Sequence, residues 1–220
     1  KQHSVQEVIG ALKSVHDLKT LVIGDTIIDE YHFCFPMGKS PKENIIATQF
    51  EDREVFAGGV LAAAKHVAEF CRDVEIVTLI GENCEYEELL RSSMPANVTM
   101  HAIQRPGMPT TRKARYIDKG YLRKLFEVYY MNDTPMTAAQ KREIDRIIVG
   151  RAEEFDLVVV TDFGHGLLTP SMIATLQRHS RFLAVNAQSN SANMGYNLIT
   201  KYDRADYICI DAPEARLAVS

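Results

Sequence analysis

Two carboxylates follow an apolar run near the start of the chain. Residues 21–24 (LVIG) are apolar, and Asp25 and Asp29 come just after them. In open α/β sheets, ligands bind outside the carboxyl ends of the strands, so a strand that ends in Gly-Asp would present acids to a polar ligand. Asp after a strand also caps helices and forms turns, and this second interpretation stays open.

Similar polar groups stand at other predicted strand ends. Gly58 and Gly59 open a helix directly after a strand, where bare N–H groups and the helix dipole favour a hydroxyl or an anion. Tight packing of helix on strand would equally explain them. Asp162 ends another apolar run and precedes a glycine-rich loop. Asp211 and Glu214 stand at a third strand-to-helix junction, where helix capping alone would account for both.

A basic segment lies in the middle of the chain. If residues 112–116 form a strand, Lys113 and Arg115 lie on one face, and Arg112 and Ala114 lie on the other. Such side chains could clamp a phosphate or a sugar. A solvated strand face is the alternative.

The elements that must position these residues alternate between strands and helices. Apolar runs predict strands at 20–25, 74–80, 156–161, 182–186 and 206–210, and helical periodicity or capping residues predict helices at about 1–15, 58–71, 85–93, 137–154 and 170–179. Further strand-like segments occur at 31–36, 44–56, 97–104, 112–118 and 121–130. We therefore expect an α/β fold: a Rossmann-like parallel sheet with helices on both faces, plus a small β-sheet lid whose strands lie within 31–56 and 97–130.

Composition excludes several classes of function. The net charge is −4 and no Lys/Arg cluster stands out, which argues against a nucleic-acid surface. No apolar run approaches the ~18–20 residues of a membrane span, and the first residues lack the features of a signal peptide, so we expect a cytoplasmic protein. The four cysteines lack zinc-ligand spacing and are expected to be reduced, buried residues: Cys34, Cys71, Cys84 and Cys209.

Six short segments carry a family resemblance when they are taken in order. They are GDTIIDEY (24–31), SPKENI (40–45), AGG (57–59), PTTRKARY (109–116), TDFGHG (161–166) and DAPE (211–214). Their order and spacing resemble the ribokinase-like (PfkB) carbohydrate kinases, and within them the kinase half of bifunctional heptose-phosphate kinase/nucleotidyltransferases. The resemblance runs from about Leu18 to Val219.

This resemblance implies a ribokinase-like domain over residues 1–220, incomplete at its C-terminus, whose lid often forms a homodimer contact. It implies an enzyme that uses ATP and Mg²⁺ and transfers the γ-phosphate to a hydroxyl of a sugar or sugar phosphate, in bacterial surface-polysaccharide or nucleotide-sugar biosynthesis. It assigns substrate contacts to Asp29, Gly58, Gly59, Lys113, Arg115, Glu127 and Asp162, and metal or phosphate contacts to Asp211 and Glu214.

The chain departs from the family pattern at three places. Residues 60–64 (VLAAA) lack an Asn that normally follows the glycine pair, and Asp211 replaces the Asn of the N-x-x-E motif. Asn186 stands where the heptose kinases carry Asp. The Gly-Ala-Gly-Asp segment that supplies the catalytic base is not found before Ser220, so we expect residues 1–220 to be inactive alone. The alternative is a degenerate, non-catalytic module that binds a sugar or dimerises beside a nucleotidyltransferase.

Overall fold

A computed structural model describes residues 3–82, 86–132, 134–191 and 193–219. Among these residues the chain forms one six-stranded sheet, one four-stranded sheet and six α-helices. In chain order, the elements are α1 (Val5–Val15), β1 (Lys19–Gly24), β2 (Thr26–Lys39), β3 (Ile46–Gly59), α2 (Val60–Ala68), β4 (Asp73–Gly81), α3 (Glu87–Ser92), β5 (Val98–Arg105), β6 (Arg112–Asp118), β7 (Arg123–Tyr130), α4 (Ala138–Arg151), β8 (Leu157–Asp162), α5 (Pro170–His179), β9 (Leu183–Ala187), β10 (Tyr207–Ile208) and α6 (Ala212–Leu217).

The six-stranded main sheet is parallel, with the order β10-β9-β8-β1-β4-β5. Alternate residues of its central strand β1 face opposite sides. Leu21 and Ile23 join a core covered by α4 and α5, whereas Val22 joins a second core covered by α2 and α3. Burial on both faces explains why these strands read as continuous apolar runs. The predicted parallel sheet with helices on both faces is confirmed.

Two of the main-sheet helices begin where the sequence predicts. The Thr137 hydroxyl accepts the N–H of Gln140, and the Gln140 side chain accepts the N–H of Thr137, which completes a capping box at the start of α4. Thr169 caps α5 through the N–H of Met172, and Pro170 occupies its first turn.

The lid is a four-stranded sheet with the order β3-β2-β6-β7. Strand β2 pairs antiparallel with β3 and parallel with β6, and β6 pairs antiparallel with β7. Because side chains alternate along a strand, the lid has two faces. We call the face that carries Asp29, Lys113 and Arg115 the cleft face, and the face that carries Glu30 and Arg112 the reverse face.

The lid differs from the prediction in two respects. It begins at Thr26 rather than at residue 31, so Asp29 lies within β2 and not in a loop after β1. The segment at 97–104 is not a lid strand, because β5 pairs in parallel with β4 at the edge of the main sheet. The short connection through α3 makes β4 and β5 a β-α-β crossover, whereas an apolar run alone does not reveal its partner strand.

Burial also corrects the prediction for the cysteines. Cys34 and Cys71 are free and buried, as predicted, but Cys209 is exposed because β10 lies at the edge of the sheet, and Cys84 lies outside the described residues. Helix α1 is amphipathic as predicted, but it has no buried residue. Within the described ranges, every helix is too short or too polar to cross a membrane.

Candidate active site

Asp29 and Arg115 form an ion pair on the cleft face of the lid. The residues lie on the neighbouring strands β2 and β6, and the Arg115 Nη1 donates to Asp29 Oδ1 at 2.5 Å. Burial would lower the pKa of Arg115, but the hydrogen bond and the charge of Asp29 outweigh it and raise that pKa. Both side chains keep some exposure, 21% for Asp29 and 16% for Arg115, so a ligand can reach them.

Lys113 lies beside this pair and has no direct partner for its charge. It is the register partner of Asp29 on β6, and the residue is only 6% exposed. Among the described residues, no hydrogen bond or ion pair reaches its ammonium. The centroid of the Tyr129 ring lies 5.4 Å away, and the carboxylates of Asp29, Glu127 and Asp25 attract the charge from a longer distance. Burial is the main cause of its lowered pKa, and the charge of Arg115 lowers that pKa further.

Strand β7 completes the cleft face with Glu127 and Tyr129. Glu127 accepts from the Tyr129 hydroxyl at 2.5 Å and pairs with Lys124 at 3.1 Å and with Arg115 at 3.4 Å. Burial would raise the pKa of Glu127, but these donors outweigh it and lower that pKa. Burial is the main cause that raises the pKa of Tyr129, whereas the side chain of Ser191, in the loop after β9, lies near its hydroxyl and lowers that pKa. The cleft face therefore looks toward the carboxyl edge of the main sheet.

The glycine pair is required by close approaches on both sides. A Cβ on Gly58 would lie 1.9 Å from Asp29 Oδ2, so the absent side chain leaves the space that the carboxylate occupies. A Cβ on Gly59 would lie 2.3 Å from the carbonyl oxygen of Asp25, and Gly59 has a φ of +62°. Gly59 is the N-cap of α2, which begins two residues later than predicted, at Val60. A cleft of about 290 Å³ opens here between Asp29, Gly58 and neighbouring lid residues.

Asp25 joins the two glycine-containing segments. Its Oδ2 accepts the N–H groups of Phe163 and His165, each at 3.2 Å, and its carbonyl oxygen accepts the N–H of Val60 at 3.0 Å. Burial is the main cause that raises the pKa of Asp25 to about 7, and the charge of Asp162 adds to it. Asp25 thus fixes the loop after β8 and the start of α2 relative to each other.

Asp162 is buried and satisfied by its own surroundings. Its Oδ2 accepts from the Tyr202 hydroxyl at 2.6 Å and pairs with the Lys201 ammonium at 2.5 Å. Its Oδ1 accepts from the N–H of Gly164 at 3.1 Å and from Asn197 Nδ2 at 3.2 Å. This geometry fits a carboxylate that shapes the glycine-rich loop, and its predicted contact with a substrate stays a prediction.

Asp211 and Glu214 form the cap of a short helix. Asp211 Oδ1 accepts the N–H of Glu214 at 2.7 Å, and Glu214 Oε2 accepts the N–H of Asp211 at 3.0 Å. The other Glu214 oxygen accepts the N–H of Ser189 at 3.0 Å. The capping interpretation therefore describes the geometry, and the predicted contact with metal or phosphate stays a prediction.

The site residues do not by themselves form a metal centre. Within the described ranges, no group of three or more His, Cys, Asp or Glu side chains is placed to hold a metal. Mg²⁺ takes oxygen ligands and is commonly bound by one or two carboxylates together with substrate phosphates. Asp211 and Glu214 could serve only in that way, because both already bond backbone N–H groups.

The structure thus brings five of the nine predicted site residues together on or against the cleft face: Asp29, Gly58, Lys113, Arg115 and Glu127. Gly59 and Asp162 lie at the two segments that Asp25 joins, and Asp211 and Glu214 stand apart at α6. Tyr129 and Lys201 also contact the site residues, and neither was among the residues predicted from the sequence. The alternation of β7 places Tyr129 on the face of Glu127 and could have indicated it, whereas no local signal marks Lys201.

Comparisons with known proteins show which sequences and which folds the chain resembles. No family model matches the chain. The bifunctional protein HldE of Citrifermentans bemidjiense is 22% identical over 214 residues, which cover 97% of this chain and 43% of that protein. HldE of Rhodopseudomonas palustris (strain HaA2) is 24% identical over 186 residues, which cover 83% of this chain and 38% of that protein. The chain therefore spans about two-fifths of the length of these curated relatives.

Solved structures share the fold. Phosphofructokinase-2 from Escherichia coli, in complex with substrates and products, matches with a TM-score of 0.65 and 9% identity over 92% of this chain and 63% of that chain. A carbohydrate kinase from Agrobacterium tumefaciens matches with a TM-score of 0.54 and 17% identity over 91% of this chain and 63% of that chain. The chain is therefore a homologue of the bifunctional HldE proteins and has the ribokinase-like fold of the PfkB sugar kinases.

Proposed function

We propose that this chain is the sugar-binding part of a carbohydrate kinase, which transfers the γ-phosphate of ATP to a hydroxyl of a sugar or sugar phosphate. The observation that carries the proposal is the position of Asp29, which lines the cleft beside Gly58 and forms an ion pair with Arg115. A partly exposed carboxylate is an acceptor for sugar hydroxyls, and the absent side chain of Gly58 leaves the room that this carboxylate needs.

Lys113 and Arg115 favour a sugar that already carries a phosphate. A buried ammonium without a partner is costly, and a ligand oxygen would relieve that cost. Arg115 lies two residues along the same face, and its guanidinium can bond phosphate oxygens. We therefore expect a sugar phosphate to bind more tightly than the matching unphosphorylated sugar.

ATP and Mg²⁺ belong to this proposal as cofactors. Phosphoryl transfer depends mainly on positioning and on electrostatic stabilisation, and the cleft-face residues would supply the positioning of the sugar. Asp211 and Glu214 would help to hold the metal and the phosphates near the end of β10. Following the family resemblance, the product would enter bacterial surface-polysaccharide or nucleotide-sugar synthesis.

The test is a calorimetric titration of the chain with hexose and heptose phosphates, each beside its unphosphorylated sugar. Asp29→Asn removes a charged acceptor, worth about 1.5–3 kcal/mol, so affinity should fall roughly 10- to 150-fold. Asp52→Asn is the matched control, because Asp52 is an exposed lid carboxylate outside the cleft. Unchanged affinity in Asp29→Asn would show that the sugar site is assigned wrongly.

We also propose that the lid pairs two copies of the chain into a homodimer. The distal half of the lid, residues 35–50, exposes large apolar side chains, among them Met37, Ile46 and Phe50. Strands β3 and β7 also leave unpaired edges at the two sides of the lid. Pairing with a second copy would cover both the apolar side chains and an open edge.

A second candidate is a degenerate ribokinase-like module that binds a sugar or dimerises without catalysis. The capping box favours it, because Asp211 and Glu214 already bond backbone N–H groups. Titration with Mg-ATP in the presence of a bound sugar phosphate separates the candidates. Nucleotide binding that Glu214→Gln weakens supports the kinase, whereas sugar binding without nucleotide binding in the full-length protein supports the module.

A further inference from the structure

Glu30 is a fully buried carboxylate on the reverse face of the lid. It follows Asp29 in β2, so its side chain points away from the cleft. Its exposed fraction is 0%. A buried carboxylate is costly unless it is paired and hydrogen-bonded, so its partners show what the fold requires of it.

Four donors from four segments converge on this carboxylate. His32 Nε2 lies 3.0 Å from Oε2, Arg112 Nη1 donates to Oε2 at 3.1 Å, and Arg53 Nη2 lies 3.5 Å from Oε1. The Tyr86 hydroxyl donates to Oε1. Burial alone would raise the pKa of Glu30, but these donors outweigh it and hold that pKa below its usual range. We call this group the Glu30 cluster.

Tyr86 differs from the other three donors because it does not belong to the lid. It precedes α3, and its ring packs against the core that α2 and β4 also form. The other donors come from β2, β3 and β6. The hydrogen bond from Tyr86 to Glu30 therefore connects the lid to the main domain on the side opposite the cleft.

We propose that Glu30 is a positioning residue for the sugar site: with Tyr86 and Arg112 it sets the orientation of the lid, and hence the position of Asp29 over the cleft. The inference rests on the proposed function. Asp29 and Glu30 are adjacent in one strand, and β6 supplies an arginine to each of them, Arg115 to Asp29 and Arg112 to Glu30. A change in the lid angle at Glu30 must therefore move the sugar-binding carboxylate.

The test uses Tyr86→Phe, which removes only the hydroxyl, and Glu30→Gln, which removes the charge. Tyr86→Phe should weaken binding of the best sugar phosphate of the panel roughly 5- to 30-fold, because only part of the free energy of this hydrogen bond to a charged group acts on the sugar site. Arg53→Gln is the control, because it removes a donor to the same carboxylate from within the lid. We expect it to change affinity less than threefold.

A spectroscopic measurement separates positioning from a loss of stability. Nitroxide labels are attached through a ketone-bearing amino acid at two exposed positions, Lys39 on the lid and Arg178 on α5. The distance distribution between them should broaden in Tyr86→Phe and narrow again when saturating sugar phosphate is added. Arg53→Gln should keep the wild-type distribution.

The outcomes separate this inference from the function on which it rests. A wild-type chain that binds no sugar or sugar phosphate overturns both. A wild-type chain that binds, with the same affinity and the same distance distribution in Tyr86→Phe and Glu30→Gln, overturns only the role of Glu30. Weaker binding with an unchanged distance distribution also overturns it, because the lid would not have moved.

Discussion

The buried carboxyl of Asp25 should make the stability of the protein depend on pH in a defined direction. Burial and the charge of Asp162 raise the pKa of Asp25 to about 7, against 3.8 for an unperturbed Asp. Between these two values the folded protein keeps a proton that the unfolded chain releases. The contribution of Asp25 to stability is therefore complete below about pH 4 and is lost as the pH rises to about 7.

The size of the effect follows from the same shift. A difference of about 3 pKa units corresponds to about 4 kcal/mol between the ends of this pH range. In Asp25→Asn, an uncharged amide replaces the carboxyl, and its oxygen can still accept the N–H groups of Phe163 and His165. The variant should therefore gain stability relative to the wild type as the pH rises, by up to about 4 kcal/mol.

The assay is urea unfolding followed by circular dichroism, from pH 4.5 to 8, for the wild type and Asp25→Asn. Because groups far from Asp25 titrate alike in both proteins, the difference between the two stabilities reports on Asp25 and on the groups that its charge contacts. Asp52→Asn, an exposed lid carboxylate, should give a difference that is nearly independent of pH. A difference for Asp25→Asn that is also flat with pH would refute the reasoning.

Three further predictions concern the cleft and the lid. Gly59→Ala should destabilise the fold by roughly 2 kcal/mol or more in urea unfolding, because its Cβ meets the Asp25 carbonyl at positive φ. Gly58→Ala should mainly displace the Asp29 side chain and weaken sugar binding in calorimetry. A larger loss of stability in Gly58→Ala than in Gly59→Ala would contradict the geometry. Lys113→Met should raise the unfolding midpoint and lower the preference for phosphorylated over unphosphorylated sugars, since it removes a buried charge that no hydrogen bond satisfies among the described residues. Phe50→Glu should convert a dimer into a monomer in light scattering, and an unchanged mass would argue against pairing through the distal lid.

The sequence predicted the core well, because its signals are local. Each of these elements can be recognised from its own residues alone: the apolar runs of β1 and β8, the capping box at Thr137 and the Thr169-Pro170 start of α5. The pairing of strands is not local. The residues at 97–104 indicate a strand but do not indicate its partner. The crossover through α3 places this strand beside β4.

The candidate site was predicted in its residue types and only partly in its arrangement. Alternation along β6 correctly placed Lys113 and Arg115 on one face. The sequence could not show that Asp25 bonds a loop 138 and 140 residues away, or that Tyr86 reaches Glu30. Such contacts depend on the packing of distant segments, for which a single sequence carries no signal.

The two ion pairs on opposite faces of β2 differ in how readily a ligand could replace one partner of the pair. Asp29 and Arg115 both keep part of their side chains exposed, so a sugar hydroxyl or a phosphate can reach either partner and take the place of the other. Glu30 is fully buried with four donors, and breaking a buried pair by removing one partner costs about 3–5 kcal/mol. On the proposed function, a ligand that enters the cleft would therefore rearrange the Asp29 side of the strand while the Glu30 side stays fixed. This difference allows one strand to serve both as a support for the lid and as a binding surface.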